Sequence, residues 1–294
     1  VNKVFWYEQM LDSIPFPVSV TDMNMNWTFF NKAAEQVTGL SRKEMLGKQC
    51  SNWGADICNT ENCGINLLRK GTLVSSFKQP GLDKNFQVDT AYLKDNAGKQ
   101  IGHIEIVQDI TKQTKVADYS AVEVKRIAAN LLKLSKGDLS FDTNIEKPDE
   151  YTKEEHKNFK YINENLIIAQ KAIQLLVSDA NMLVDAAIEG RLSTRADASK
   201  HEGDFKKIVQ GVNNTLDAVI NPLNEASRVL GLISKGNITE RIDLDLKGDH
   251  KIMRDAVNDV QQWLRSMVDI IQKIADGNLT VEPKKLSNED ELSE

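Results

Sequence analysis

All three cysteines of the chain, Cys50, Cys58 and Cys63, lie in the stretch GKQCSNWGADICNTENCG, residues 47–64. Thiols this close together can ligate a metal, cycle between thiol and disulfide, or pack as small apolar side chains. The spacing Cys50-x7-Cys58-x4-Cys63 lacks the paired Cys-x2-Cys knuckles of a zinc ribbon. A metal or iron–sulfur cluster here would need a fourth ligand from elsewhere in the chain or from a second chain. The metal, redox and packing readings all stay open on the sequence. Other reactive constellations are missing. The chain has no GxGxxG, P-loop, HExxH or GxSxG motif. His156, His201 and His250 are widely separated, and His103 alternates with Ile104 and Ile106 in a β-type run. No enzyme is expected.

The elements that must position these residues follow from length and pattern. A chain of 294 residues is long enough for about two domains. The net charge of −6, with no Lys/Arg cluster, argues against nucleic acid as a partner. No run approaches the ~20 apolar residues of a membrane span, and VNKVFWYEQML lacks the features of a signal peptide. Clustered cysteines suit a reducing compartment, so a cytoplasmic location is expected. The chain starts without Met and ends in SNEDELSE, and it is expected to be part of a longer protein.

Up to residue 111 the pattern alternates short strands and helices. VFWYEQMLDSI reads as a lead-in helix, PVSVTD and NWTFFN as strands, and NKAAEQVTG and SRKEMLGK as short helices. Ser41 with Glu44 forms a capping box. NCGINLLRKG is a further helix, and TLVSSFKQ, KNFQVDTAYLKD and KQIGHIEIVQDIT are three strands, the last two joined by a DNAG turn. This is an α+β pattern. The segments SIPFPVSVTD, NKAAEQVTGLSRKEMLGK and EIVQDIT, in that order, resemble a PAS sensor domain over residues 1–111. The resemblance implies a five-stranded antiparallel sheet around a ligand or cofactor pocket. It also implies that Asp109 and Thr111 couple the sheet to a following coiled coil. Val20, Phe30, Val37, Ile65, Phe77 and Ile106 are the pocket candidates. His103 is the one axial candidate for a PAS-type haem, and no cofactor is identified.

From residue 112 onward the chain repeats itself. GDLS, GRLS, GNIT and GNLT begin at Gly137, Gly190, Gly236 and Gly277. Counting back 3, 6, 10 and 13 residues from each Gly meets an apolar residue every time: Leu134, Leu131, Ile127 and Val124 before the first, and Ile274, Ile271, Met267 and Leu264 before the last. That spacing is a coiled-coil seam closed by a helix-stopping glycine. A second helix recurs in EGDFKKIVQGVNN and KGDHKIMRDAVND, which align Gly203-Asp204 with Gly248-Asp249. Asp204 and Asp249 complement a helix N-terminus. His250 takes the seam position that Phe205 holds in the sister copy, where it packs or titrates.

Helix, glycine, connector and helix resemble the HAMP domain. That resemblance implies a parallel homodimer, an all-α coiled-coil stack, and coupling roles for Gly137, Gly190, Gly203, Asp204, Gly236, Gly248, Asp249 and Gly277. The expected units span residues 112–168 (with a degenerate connector), 169–220, 221–263 and a truncated 264–294. From Asn163 to Gly190, Asn213 to Gly236 and Asn258 to Gly277 the chain runs 27, 23 and 19 residues. Steps of four are coiled-coil stutters, which would set neighbouring units in different helix phases.

The combined resemblance implies the cytoplasmic input and relay region of a chemotaxis-type transducer. Its output module would follow residue 294, with a kinase and adaptor proteins as downstream partners. The alternatives are a cysteine-based redox or metal sensor, or the N-terminal region of a sensor histidine kinase.

Overall fold

The computed structural model describes residues 3–281, so the SNEDELSE end and most of the last expected connector lie outside the described residues. The chain divides into two compact units, residues 1–167 and 168–294. In the first unit, helix α1 (Lys3–Asp12) precedes strands β1 (Val18–Asp22) and β2 (Trp27–Phe30) and helices α2 (Lys32–Thr38), α3 (Arg42–Met45) and α4 (Gly64–Arg69). Strands β3 (Val74–Gln79), β4 (Lys84–Lys94) and β5 (Gln100–Asp109) complete a five-stranded antiparallel sheet in the order β2-β1-β5-β4-β3.

Two residues show why this sequence closes this sheet. Asn31 is fully buried and fully used: its Oδ1 accepts from the Val18 and Ala34 N–H groups, both at 2.9 Å. Its amide donates to the Leu11 carbonyl at 3.0 Å and the Phe16 carbonyl at 2.9 Å. One side chain thereby ties the end of α1, the start of β1 and the first turn of α2. Gly102 lets β5 approach β1, because a Cβ there would stand 2.2 Å from the Thr21 carbonyl oxygen. Elsewhere Glu44 accepts from both the Ser41 N–H and hydroxyl, at 2.8 and 2.6 Å, and starts α3. The DNAG turn closes through Gly98 N–H to the Asp95 carbonyl at 2.9 Å.

The remaining helices are long: α5 (Thr111–Ser135), α6 (Lys153–Ile188), α7 (Gly203–Ile233) and α8 (Gly248–Ala275). Each of the last three serves as the second helix of one repeat and the first of the next, so the expected unit borders at 168, 220 and 263 fall inside continuous helices. All four helix-stopping glycines adopt the left-handed conformation, with φ from 73° to 88°. After each, the next N–H reaches back five residues, as Asp138 does to Lys133, Arg191 to Ala186, Asn237 to Leu232 and Asn278 to Lys273. The Ser or Thr of the motif has its own reason. In three copies its N–H and hydroxyl bond the side chain after the glycine: Ser140 to Asp138, Thr239 to Asn237 and Thr280 to Asn278. GRLS has Arg191 at that place.

The connectors are pinned by asparagines. Asn213 clasps Ala196, accepting its N–H at 3.1 Å and donating to its carbonyl at 2.8 Å. Asn258 does the same to Ile242, at 2.9 and 3.0 Å. The first connector departs from this plan. Its clasp comes from Asn130 on the preceding helix, bonded both ways to Asp142 at 2.9 and 2.7 Å. Buried Glu123 accepts the Glu146 N–H at 2.8 Å and pairs with Arg126 at 2.7 Å, while Arg126 also reaches the Asp142 carbonyl and Asn163. In the second unit Ala226, Val229, Ile242 and Val257 form a small core with Ile233, Leu246 and Met253 beside it.

Among the described residues one helix, α6, is long and apolar enough to cross a membrane by length and composition. Its apolar stretch carries Lys171 and Asp179. Asp179 accepts from, or pairs with, the buried His201 Nε2 at 2.7 Å.

Candidate ligand cavity and its link to the helices

Side chains alternate along a strand, so β5 turns His103, Glu105, Val107 and Asp109 to one face of the sheet and Ile104 and Ile106 to the other. The first face looks into a cavity of about 480 Å³, walled on its other side by the cysteine stretch. That volume lies within the ~300–1,000 Å³ usual for small-molecule sites. Val37 and Phe77 line it, Val37 at its exposed rim. Phe30 and Ile65 lie in the adjoining core with Trp27, Ala34, Met45, Cys50 and Cys63. Val20 and Ile106 are on the opposite sheet face, in phase with one another through the pairs Val18–Ile106 and Val20–Ile104. Alternation in HIEIVQD suggests that the isoleucines face inward, yet the cavity receives the polar phase of the strand.

All three cysteines line this cavity. They are free thiols, with Cys50 and Cys63 buried. Burial pushes the Cys50 thiol up to about 12, with Glu105 and the other two thiols adding to the effect. Burial also raises Cys58. Both are therefore protonated thiols at neutral pH and weak as nucleophiles. No group of three or more His, Cys, Asp or Glu side chains among the described residues is placed to hold a metal ion.

His103 is fully buried outside the cavity lining. Its Nδ1 lies 3.1 Å from the Thr21 hydroxyl, and burial lowers its pKa.

The residue not singled out by sequence is Glu105. It is 7 % exposed and makes no hydrogen bond or ion pair among the described residues. Its neighbours across the sheet are Ser19 and Thr90, but the Ser19 hydroxyl is unbonded and that of Thr90 donates to the Leu73 carbonyl. Burial raises the Glu105 carboxyl to about 7. Gly64 makes room for it, since a Cβ at 64 would stand 3.1 Å from the carboxyl oxygen. Aromatic rings complete the walls: Trp53 packs edge-on against Trp27, and Phe77 stacks on Phe86 at 5.4 Å.

At the far end of the same strand Asp109 both lines the cavity and starts α5. Its Oδ1 accepts the Thr111 N–H at 3.0 Å and the Thr111 hydroxyl, and its Oδ2 pairs with Lys84 at 2.8 Å. The Thr111 hydroxyl oxygen in turn accepts the Asn85 N–H from β4 at 3.0 Å. Burial tends to raise the Asp109 carboxyl, but the bonds from Lys84 and Thr111 outweigh it and hold the group below the usual range. Further along α5, Lys115 bridges Asp83 at 2.7 Å and Asp149 at 3.5 Å. Gly203 and Gly248, both with positive φ, open α7 and α8, with Asp204 and Asp249 in the first turns.

Comparison with known proteins agrees with this architecture. Residues 7–52 match the PAS fold and residues 200–266 the HAMP domain. Over 98 residues the chain is 33 % identical to the methyl-accepting chemotaxis protein McpB of Pseudomonas aeruginosa, a match spanning 33 % of this chain and 14 % of that protein. Among solved structures, a PAS domain from Colwellia psychrerythraea is 17 % identical, with 38 % of this chain and 99 % of that one covered at a TM-score of 0.31. The PAS domain of BvgS from Bordetella pertussis is 15 % identical, with 47 % and 99 % covered at 0.32. PAS and HAMP modules are of non-catalytic kinds. The chain is a sensory signal-transducer region in which a PAS fold is followed by HAMP helices.

Proposed function

We propose that the PAS cavity binds a small molecule and that occupancy is passed through Asp109 and Thr111 into α5 and onward along the HAMP helices of a parallel homodimer. The observation that carries this reading is that Asp109 belongs to two structures at once, the cavity wall and the first turn of α5. A ligand that draws on Asp109 or Lys84 changes the anchoring of the helix directly. The dimer is supported by the apolar seams. Val124, Leu131, Val177, Val184, Leu223, Leu230, Ile271 and Ile274 remain exposed in the single chain, at the heptad spacing by which helices pair. The α6 helix belongs to this bundle rather than to a membrane, in line with the side-chain bond from His201 to Asp179 in its apolar stretch. The asparagine-to-glycine spacings of 27, 23 and 19 residues lie within α6, α7 and α8 and their ends, and their steps of four support a change of helix phase from one repeat to the next.

The protein works in the cytoplasm in this reading, as its free thiols support. The output is of the chemotaxis type, with a kinase and adaptor proteins downstream, as the likeness to McpB supports. Single cysteines at Val124, Val177 and Leu230, in a background with the native cysteines replaced, test the relay by disulfide crosslinking. Asp109→Asn should shift the crosslinking efficiency at all three sites. Identical patterns in the two backgrounds would sink the relay, and a monomer in sedimentation would sink the dimer.

A further inference from the structure

Glu105 is a buried acid aimed into a cavity with no partner to meet it. The walls around it include the aromatic rings of Trp53, Phe77 and Phe86. Lys84, the one basic residue lining the cavity among the described residues, is already engaged by Asp109 at 2.8 Å. The remaining titratable groups facing Glu105 are the thiols of Cys50, Cys58 and Cys63, of which Cys50 and Cys58 are kept protonated by burial. His103 follows on the same face of β5 but is turned to Thr21. A ligand anion would meet two carboxyls, Glu105 and Asp109. A neutral apolar ligand would leave a carboxyl buried without a partner, a costly arrangement.

Resting on the reading of this cavity as the sensory site, we propose that its ligand is an organic cation: a protonated amine with an apolar body, whose ammonium pairs with Glu105. The ammonium supplies the donors that Glu105 lacks, and the aromatic faces stabilise the positive charge. The apolar body lies against Ile57, Val88 and Val107. Specificity against the isosteric alcohol comes from the unpaired acid, because a site built for a charged donor is penalised when the donor is missing. Gly64 is part of the recognition, since a Cβ there would stand 3.0–3.1 Å from Val88, Thr90 and the Glu105 carboxyl and would crowd the acid.

The test is calorimetric titration of the full chain at pH 8 with three matched probes: 2-phenylethylamine, 2-phenylethanol and phenylacetate. The amine should bind at least about tenfold tighter than the alcohol, with phenylacetate weakest. Glu105→Gln should remove that preference while still binding the alcohol, which shows that the cavity remains folded. Phe77→Leu should weaken the amine more than the alcohol. Equal affinity for amine and alcohol, or an amine affinity unchanged by Glu105→Gln, overturns the cation assignment and leaves the cavity a binding site of other chemistry. Should none of the probes bind, and the purified protein release no small molecule on denaturation in mass spectrometry, the sensory reading of the cavity falls as well.

Discussion

Replacing Glu105 by glutamine removes the charge and keeps the shape, so its effect on stability reports the cost of burying that carboxyl. In the unfolded chain the group titrates near 4.5, and in the folded protein near 7. Below pH 4.5 the carboxyl is protonated in both states and costs nothing. Between the two values the unfolded chain gives up the proton while the folded protein keeps it, so stability falls as pH rises. Above pH 7 the penalty is complete. A difference of about 2.5 units at 1.36 kcal/mol per unit gives about 3 kcal/mol. The glutamine variant lacks this slope. The assay is urea unfolding at several pH values between 4.5 and 8, followed by tryptophan emission, to which Trp27 and Trp53 beside the cavity contribute. The stability of Glu105→Gln relative to the parent should rise by about 3 kcal/mol across that range. A difference independent of pH would refute the picture of a buried carboxyl without a partner.

Other positions give independent checks. Gly102→Ala forces β1 and β5 apart and should cost about 1–3 kcal/mol or more in urea unfolding, with the loss confined to the PAS sheet. Arg126→Ala leaves Glu123 buried without its cation and should destabilise the first connector by about 3–5 kcal/mol, seen as faster amide exchange around Glu146. Asn258→Ala breaks both bonds to Ile242 and should lower stability by about 1–3 kcal/mol, followed through Trp263 emission. With its thiol raised to about 12, Cys50 should react with a thiol reagent at pH 8 roughly a thousandfold or more slowly than in the urea-unfolded chain.

Local patterns in the sequence carried a large part of this architecture. The strands of the sheet, the Ser41–Glu44 box, the DNAG turn and the four helix-stopping glycines all rest on short-range chemistry, and all are present in the structure. Asp109 and Thr111 were legible through the resemblance to PAS domains, and in the structure they bond to each other at the start of α5. The cavity was harder to read, since its polar wall inverts the usual alternation. HIEIVQD pairs an apolar phase with a polar one, and the structure gives the cavity the polar phase, so Ile106 and Glu105 exchange the roles the pattern suggests. Departures of this kind mark functional sites, where local preference yields to a binding requirement. The Asn130 clasp was hidden for another reason. It does for the first connector what Asn213 and Asn258 do for the later ones, but from the opposite helix, so no alignment of repeats brings it into register.

The continuity of α6, α7 and α8 has a consequence for how such a chain can grow or be rebuilt. The repeat seen in the letters runs from helix to helix, but the covalent rod runs from one helix start to the next glycine stop, across the border between repeats. A duplication or splice joined within a connector leaves every rod intact and alters only the strap between two rods. A splice inside a rod, even where the two copies align well, rotates all that follows by about 100° for each residue gained or lost. Only changes near multiples of seven preserve the seam. Grafts between relatives of this chain are therefore expected to succeed at 191–202 or 237–247, and to fail through misrotation when cut at the motif-based borders.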